Sequence, residues 1–391
     1  MSPLASLKVL DFTTLLPGPY ATMMLADLGA DVLRIESPVR PDLARTLPPF
    51  DEHGHAAAHA WLGRSKRSLA LDLKQAAAIE IVLRLVAERD IVVEQFRPGV
   101  MARFDLDYEA LRRVNPRIIY CSITGYGQTG PWRERAGHDI NYLALAGLLA
   151  YSGHADSGPP PLGFQLADVA GGALHAVIGI LAAVVERART GTGCYIDLSM
   201  TDAAFSLNGV AAAGLLAAGV EPQRETMHLN GGTAYGCYRT KDGRYLAIGS
   251  LEPDFRRTLC DVIGRPELAA SGRDADEPAL RAALAATFAQ RPLADWQAVF
   301  AQCDACVEPV LELSEAVRHP QIRARAMVVE VPDPNGGTQR QIRTPIRYAD
   351  DVPAPKHVGC EAGAHRDEIL AALGYSPAEI AALADRGVFG T

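Results

Sequence analysis

Hydrophobic and polar positions along the first 130 residues follow two alternating patterns. Short apolar runs, typical of buried strands, stand between segments in which apolar residues recur every three or four positions, typical of helices. The strand-like runs are "SLKVLDF", "DVLRIE", "SLALDL", "IVVEQF" and "RIIYCSIT". The helical segments include "YATMMLADLGA" and "KQAAAIEIVLRLVAERD". This alternation predicts βαβ units and a mostly parallel sheet covered by helices, a Rossmann-like α/β fold.

The pattern changes near residue 221, which suggests a second domain. Before that point, "QLADVAGGALHAVIGILAAVVERART" predicts a long helix that stops at Gly191, and "GCYIDLSM" predicts a strand. After it, "AYGCYRTKDGRYLAIGS" predicts a hairpin with its turn at residues 241–243, and helical segments follow. We expect a large domain at 1–200 completed by 323–391, a linker at 201–225 and a small α+β domain at 226–322.

Composition narrows the class of protein. A chain of 391 residues with 48% hydrophobic and 21% charged residues is typical of a soluble protein with more than one domain. The net charge of −8 argues against nucleic acid or an anionic membrane as the main partner. The start "MSPLASLKVLDF" lacks the features of a signal peptide, and no uninterrupted apolar run reaches the ~18 residues of a membrane span. Seven scattered cysteines suit a reducing compartment, so we expect a cytoplasmic protein.

Two common cofactor motifs are missing or incomplete. The first strand-to-helix turn, "TTLLPGPYA", has one glycine where a dinucleotide site uses G-x-G-x-x-G, although Glu36 stands where a ribose ligand could lie. Cys303 and Cys306 form a CxxC without a second ligand pair at metal spacing, which favours two idle thiols over a zinc or redox site. We expect neither a metal nor a redox cofactor.

Basic residues recur in the predicted large domain. "GRSKRS" places three cations in four residues just before a strand. Such a run can be a solvated loop, or it can bind phosphate, because Arg and Lys form strong charge-assisted bonds to phosphate oxygens. The residues concerned are Arg34, Arg64, Lys66, Arg67 and Arg97.

Three positions could supply acid–base chemistry. His138 and Asp139 precede the apolar run "INYLALAG", and this pair could start a helix or stand at the wall of a dry pocket. Asp168 lies near the start of the long helix, where the helix dipole would stabilise its ionised form and a dry cavity would raise its pKa. Glu252 precedes Pro253 and could cap the helix that this proline begins.

Read together, several segments resemble the family III CoA-transferase superfamily, which includes the α-methylacyl-CoA racemases. The resemblance covers roughly residues 1–320, and the order and spacing of the segments are kept. They are "LKVLDFTTLLPGPYATMMLADLGADVLRIESP", "VEQFRPGVMARFDL", "NPRIIYCSITGYGQTGP", "GHDINYLALAG", "ADVAGGALHAVIGILAA", "DGRYLAIGSLEPDF" and "DACVEPVLELSEA".

The resemblance implies roles for the acid–base candidates. Asp168 matches the aspartate nucleophile of the transferases, whereas the histidine of "GHDINY" and the glutamate of "EPDF" are typical of the racemase branch. It therefore favours a racemase of 2-methylacyl-CoA thioesters that works through an enolate. His138 with Glu252 would form one acid/base unit and Asp168 the other, with backbone N–H groups near Asp139 around the enolate oxygen. The alternatives are a CoA transferase that uses Asp168 in an aspartyl anhydride, and a non-catalytic CoA-binding protein.

It also implies a binding mode and an assembly. The five basic residues match positions that bind CoA phosphates, and Asp139 and Tyr142 fall in the motif along the pantetheine. Ser37 departs from the arginine of the racemases. The family fold implies an interlocked homodimer, with the active site between the large domain of one chain and the small domain of the other. CoA would enter only as part of the substrate.

Overall fold

The computed structural model describes residues 2–270, 277–348 and 354–390, and the chain forms two compact units. Unit 1 comprises Met1–Ala146, Leu162–Leu207 and Ala324–Thr391. Unit 2 comprises Gly147–Pro161 and Asn208–Arg323. These boundaries differ from the sequence-based domains, because residues 147–161 group with the later segment and two helices stand where a linker was expected.

Unit 1 is built on a parallel sheet. Within the described residues it has six strands in the order β3-β2-β1-β4-β5-β6. The order reverses direction between β1 and β4, as in doubly wound folds, so the prediction of a Rossmann-like parallel sheet is confirmed. The strands are β1 (Lys8–Asp11), β2 (Asp31–Glu36), β3 (Arg67–Ala70), β4 (Ile91–Glu94), β5 (Ile119–Thr124) and β6 (Tyr195–Ser199).

Helices alternate with these strands, as the pattern predicts. Pro17 occupies the first position of α1, where its missing N–H costs nothing, and the side chain of Asp107 caps α4 by accepting the N–H of Ala110 at 2.9 Å. The helices of this part are α1 (Pro17–Asp27), α2 (Ala57–Leu62), α3 (Ala76–Ala87), α4 (Tyr108–Val114), α5 (Asp139–Leu145), α6 (His175–Thr190) and α7 (Met200–Ser206).

The long apolar helix has two parts. It begins as a π-helical segment, Ala167–Leu174, and continues as α6 to the predicted stop, Gly191, which has a left-handed φ of 76°. By length and hydropathy alone, Ala167–Thr190 could cross a membrane, contrary to the sequence-based expectation. Asp168 and His175 interrupt the apolar run, but the mean hydropathy of the segment stays high enough for a membrane span. Helices in the core of soluble proteins share this property, and α6 packs against β5 and β6.

Unit 2 contains a smaller antiparallel sheet with the order β7-β8-β9. The predicted hairpin is confirmed, and Gly243 has a φ of 81° in its turn. A separate apolar core includes Leu284, Phe288 and Trp296. The elements are α8 (Gly209–Ala218), β7 (Gly236–Arg239), β8 (Tyr245–Ile248), α9 (Pro253–Val262), α10 (Glu277–Phe288), α11 (Leu293–Phe300), β9 (Val307–Pro309), α12 (Leu313–Ala316) and α13 (Pro320–Ala324).

The last part of the chain returns to unit 1. It forms an antiparallel hairpin of β10 (Val328–Pro332) and β11 (Thr338–Ile342), then α14 (Arg366–Ala372) and α15 (Pro377–Asp385). Ile369, Leu370 and Leu383 join the core on the same face of the large sheet as residues of α3 and α4. On the other face, α1 contacts β1 and β2, while α6 contacts β5 and β6. In three-layer folds of this kind, ligands bind at the carboxyl ends of the strands, so we expect a site there.

Candidate active site

His138 and Asp139 form the start of helix α5. His138 is the N-cap, with an extended backbone, and its N–H donates to Oδ1 of Asn141 at 3.0 Å. The side chain of His138 is exposed, whereas Asp139 is half-buried. The helix-start interpretation is therefore confirmed.

Asp139 connects this helix to the segment that carries Asp168. Oδ1 of Asp139 accepts the backbone N–H of Asp168 at 2.9 Å, and the N–H of Ala167 also bonds to this carboxylate. Asp139 thus caps the first turn of the π-helical segment from a distant part of the chain. We infer that it positions Asp168, which lies in that first turn.

The surroundings of Asp168 shift its pKa in opposite directions. Burial raises the pKa of Asp168 to about 6, the charge of Asp139 adds to the rise, and His138 acts in the opposite direction. Burial also raises the pKa of Asp139. Burial and the charge of Asp139 therefore outweigh the effect of His138, and the carboxyl of Asp168 keeps its proton up to a pH near 6.

Tyr142 forms the wall behind Asp168. It is buried, its hydroxyl donates to the carbonyl oxygen of Gly137 at 2.6 Å, and its ring packs edge-on against Tyr126. A Cβ at Gly125 or at Gly137 would lie 2.6 Å from this ring, so both positions require glycine. The sequence analysis missed these supports, for which the glycines of "TGYG" and "AGHD" were the only signal.

Two of the cations proposed to bind phosphate lie in the interior. Arg64 is 1% exposed, and its Nε donates to Oδ1 of Asp27 at 2.9 Å. Lys66 is 2% exposed, donates to Oγ1 of Thr22 at 2.7 Å and lies 3.3 Å from Oδ2 of Asp11. Burial lowers the pKa of Lys66 to about 8. The solvated-loop interpretation is therefore wrong for Arg64 and Lys66, whose side chains pair with buried carboxylates, and their binding of CoA phosphates stays a prediction.

Arg34 and Arg67 are also committed to internal ion pairs. Arg34 is buried on β2 and pairs with Asp42. Arg67, at the first position of β3, pairs with Asp31 at 2.8 Å and with Glu368 at 2.8 Å. Asp31 is the first residue of β2, so this network lies at the amino ends of the strands, opposite the edge where ligands of parallel sheets bind. Arg34 instead lies towards the carboxyl end of β2, where it also donates to the carbonyl oxygen of Thr13 at 3.3 Å, and the binding of CoA phosphates by either residue stays a prediction.

Arg97 is placed differently. It is exposed, follows β4 and lines a cavity of about 290 Å³ together with Glu94, Ser122 and Tyr195. Glu94 accepts the N–H of Phe96 at 2.8 Å and the hydroxyl of Ser122, and burial raises its pKa to about 7. The sequence analysis missed Glu94, although a carboxylate at the end of the apolar strand "IVVE" was a signal.

Glu252 belongs to unit 2, whereas His138 and Asp168 belong to unit 1. It is exposed and occupies the N-cap of α9, just after β8, without a capping hydrogen bond from its side chain. This location at the start of a helix agrees with the sequence-based prediction. The partnership of Glu252 with His138 stays a prediction. Cys303 and Cys306 are both free thiols.

Known proteins provide an independent comparison. The sequence model of the CoA-transferase family III matches residues 4–366. The chain is 36% identical to the α-methylacyl-CoA racemase of Mus musculus, over 96% of this chain and 95% of that protein. It is 35% identical to the acetyl-CoA:oxalate CoA-transferase of Acetobacter aceti, over 84% of this chain and 86% of that protein. The crystal structure of a CaiB/BaiF family protein from Brucella suis matches with a TM-score of 0.84 and 34% identity, over 95% of this chain and 99% of that one.

Proposed function

Because the chain belongs to CoA-transferase family III, we propose that it is an isomerase that inverts the α-carbon of 2-methylacyl-CoA thioesters, as an α-methylacyl-CoA racemase does. The observation that carries this proposal is the hydrogen bond from the backbone N–H of Asp168 to Oδ1 of Asp139, the residue that follows His138, which links the two candidate groups within unit 1. An imidazole and a carboxylate are two groups that can each accept and return a proton.

Inversion of the α-carbon requires proton transfer on both faces of the intermediate. One group removes the proton next to the thioester carbonyl, which leaves a planar enolate, and the other returns a proton to the opposite face. The roles exchange in the reverse direction. In this proposal His138 serves one face and Asp168 the other, while backbone N–H groups near Asp139 stabilise the enolate oxygen.

The surroundings of Asp168 support this role. With a pKa of about 6, the carboxyl is mostly ionised at neutral pH, yet it binds a proton more tightly than an exposed aspartate does. That property helps it to take up a proton from carbon. Glu252 would keep the imidazole of His138 oriented and basic.

A CoA transferase is the second candidate. It is favoured by the 35% identity to the oxalate CoA-transferase and by the carboxylate of Asp168 itself. In that reaction the ionised Asp168 attacks the thioester carbonyl, the C–S bond breaks and CoA leaves as a thiolate, which forms an acyl-aspartyl anhydride. The thiolate then attacks the aspartyl carbonyl of the anhydride, which releases the first carboxylate and leaves an aspartyl-CoA thioester. An acceptor carboxylate attacks this thioester and displaces the CoA thiolate, which forms a second anhydride. The thiolate attacks the acyl carbonyl of that anhydride, which gives the new acyl-CoA and frees Asp168.

The remaining elements of the proposal concern binding and assembly. CoA is part of the substrate, and Arg97 contacts one of its phosphates in the exposed region after β4. No metal or redox group takes part in the proposed steps. We propose a cytoplasmic homodimer in which Glu252 is supplied to His138 by the partner chain.

One experiment separates the two activities. The protein is incubated with (R)- or (S)-2-methylacyl-CoA in deuterated water, and α-deuterium incorporation is followed by mass spectrometry together with the chirality of the product. Racemisation predicts deuterium uptake with inversion, and a rate that rises as the pH passes through about 6, where Asp168 ionises. The racemase proposal is wrong, and the protein is a CoA transferase, if three results are found together. No deuterium is taken up, CoA is transferred to an added carboxylate, and hydroxylamine traps Asp168.

Variants test which side chains transfer the protons. His138→Ala and Asp168→Asn should each reduce the exchange rate by roughly 100-fold or more, the usual contribution of a general acid or base. Asp202→Asn is the matched control, because Asp202 is an exposed carboxylate in the first turn of α7. Full activity in both His138→Ala and Asp168→Asn would disprove the two-base mechanism.

A further inference from the structure

Three potential metal ligands meet in unit 1, among residues that the proposed reaction does not use. Asp51, His55 and Asp333 each place one ligand atom within 4.8 Å of the other two. Asp51 and His55 lie in the turn before α2, and Asp333 lies in the turn between β10 and β11. The cluster therefore joins two segments that are almost 280 residues apart in sequence.

Local hydrogen bonds hold Asp51 in place. Its Oδ1 accepts the backbone N–H of His55 at 2.8 Å and that of His53 at 3.0 Å, and its Oδ2 accepts Nε2 of Gln339 at 3.2 Å. The carboxylate is thus a fixed anion that faces the β10–β11 hairpin.

Asp333 is fixed in a similar way. It is buried, its Oδ1 accepts the N–H of Asn335 at 2.8 Å, and its own N–H donates to the carbonyl of Gly337 at 3.1 Å. The tight turn therefore directs the carboxylate of Asp333 to the cluster. A nearby cation would offset the negative charge of this carboxylate.

The orientation of His55 points to a ligand. Its Nε2 lies 3.2 Å from Oε1 of Glu361. Its Nδ1 is buried, forms no hydrogen bond with any atom in the described parts of the chain, and lies 3.6 Å from Oδ2 of Asp51. A histidine whose second nitrogen bonds to a carboxylate is the usual arrangement at metal sites, since the carboxylate fixes the ring and raises its basicity.

We propose that Asp51, His55 and Asp333 bind one divalent transition-metal ion of the zinc class, with Nδ1 of His55 and one oxygen from each aspartate as ligands. Tetrahedral zinc with bonds of ~2.1 Å separates its ligands by about 3.4 Å, close to the 3.6 Å between His55 and Asp51. The imidazole favours zinc, cobalt or nickel over magnesium and calcium, which prefer oxygen ligands alone. The ion would tie the 51–55 turn to the β10–β11 hairpin.

Zinc binding to the full-length chain tests this site. Chelator-treated protein is titrated with zinc chloride by calorimetry, and thermal unfolding is measured with and without the metal. We expect one ion per chain and a higher melting temperature with zinc, because the ion binds only the folded state. His55→Ala should weaken binding by roughly 100-fold or more, since a lost direct ligand costs at least as much as a lost outer partner. His53→Ala, an exposed histidine in the same turn, should bind zinc as the unaltered protein does.

Cobalt(II) identifies the ligands. A site of nitrogen and oxygen gives visible d–d bands without the near-ultraviolet charge-transfer bands that thiolates produce. If His55→Ala does not fold, Asp333→Asn replaces it, because asparagine keeps the acceptor for Asn335 and removes the charge. The site is disproved if the unaltered protein binds no zinc, if His55→Ala and Asp333→Asn bind as tightly as the unaltered protein, or if cobalt shows thiolate bands. In those cases His55 and the two aspartates form only an ion-pair cluster.

Discussion

At the scale of single residues, one carboxylate sets the chemistry of another. Asp139 accepts the N–H of Asp168 and also raises its pKa through its own charge. The same carboxylate thus fixes the geometry of Asp168 and makes its ionisation harder. The arrangement costs folding free energy, which active sites commonly trade for reactivity.

The pH dependence of stability measures this cost. The pKa of Asp168 is about 6 in the folded chain against 3.8 for an ordinary aspartate, so the folded state binds more protons between these values. Stability therefore falls as the pH rises through this window, and the penalty is complete above about pH 6. Asp168→Asn should stabilise the fold by roughly 1–3 kcal/mol at pH 8, after allowance for partial exposure, and much less at pH 4.5.

Thermal unfolding followed by circular dichroism at both pH values checks this prediction. Asp202→Asn serves again as the control and should show no gain that depends on pH. A loss of stability in Asp168→Asn at pH 8 would contradict the assigned pKa.

At the scale of secondary-structure elements, the two ends of the parallel sheet divide the cations by role. Arg67 and Asp31 stand at the amino ends of β3 and β2, where they join neighbouring strands. Arg97 follows the carboxyl end of β4 and remains exposed. Because ligands of parallel sheets bind at the carboxyl ends of the strands, we expect Arg97 to contact CoA and Arg67 to join neighbouring strands.

Alanine variants distinguish the two ends. Arg97→Ala should weaken CoA binding by roughly 10-fold or more, the value of a hydrogen bond to a charged group, with an unchanged melting temperature. Arg67→Ala should lower the melting temperature by about 1–3 °C and leave the affinity for CoA unchanged. Calorimetric titration with CoA and thermal unfolding give both quantities, and the opposite pattern would restore Arg67 to the binding site.

At the scale of the whole molecule, each unit exposes large apolar side chains. On α6 of unit 1, Ile178 is 63% and Val185 is 72% exposed. On α8 of unit 2, Val210 is 84% and Leu216 is 81% exposed. Grouped exposure of this kind is typical of surfaces that bind another chain, which supports the proposed homodimer.

Sedimentation equilibrium tests the assembly. A homodimer has about twice the chain mass of 41.8 kDa. Val185→Glu should shift the equilibrium towards the single chain, because a buried charge without a partner opposes association. Val114→Glu on α4 is the control, since α4 and α6 pack on opposite faces of the sheet. A single-chain mass for the unaltered protein would rule out the dimer.

The sequence by itself determined the order of strands and helices, the parallel sheet, the hairpin around Gly243 and the end of α6 at Gly191. These features depend on hydrophobic periodicity and on backbone preferences of single residues, which are local. It also singled out His138 and Asp168 as separate residues, and only the family resemblance joined them in one predicted mechanism.

Tertiary structure decided which polar groups have partners. Arg64 finds Asp27, Asp168 finds Asp139, and His55 lies near Asp333, and none of these pairs is close in sequence. The sequence identifies a charged residue but does not show whether its side chain is free or paired. Only folding determines which distant polar groups are buried together. For that reason the residues of the sheet could be predicted, whereas the roles of its cations could not.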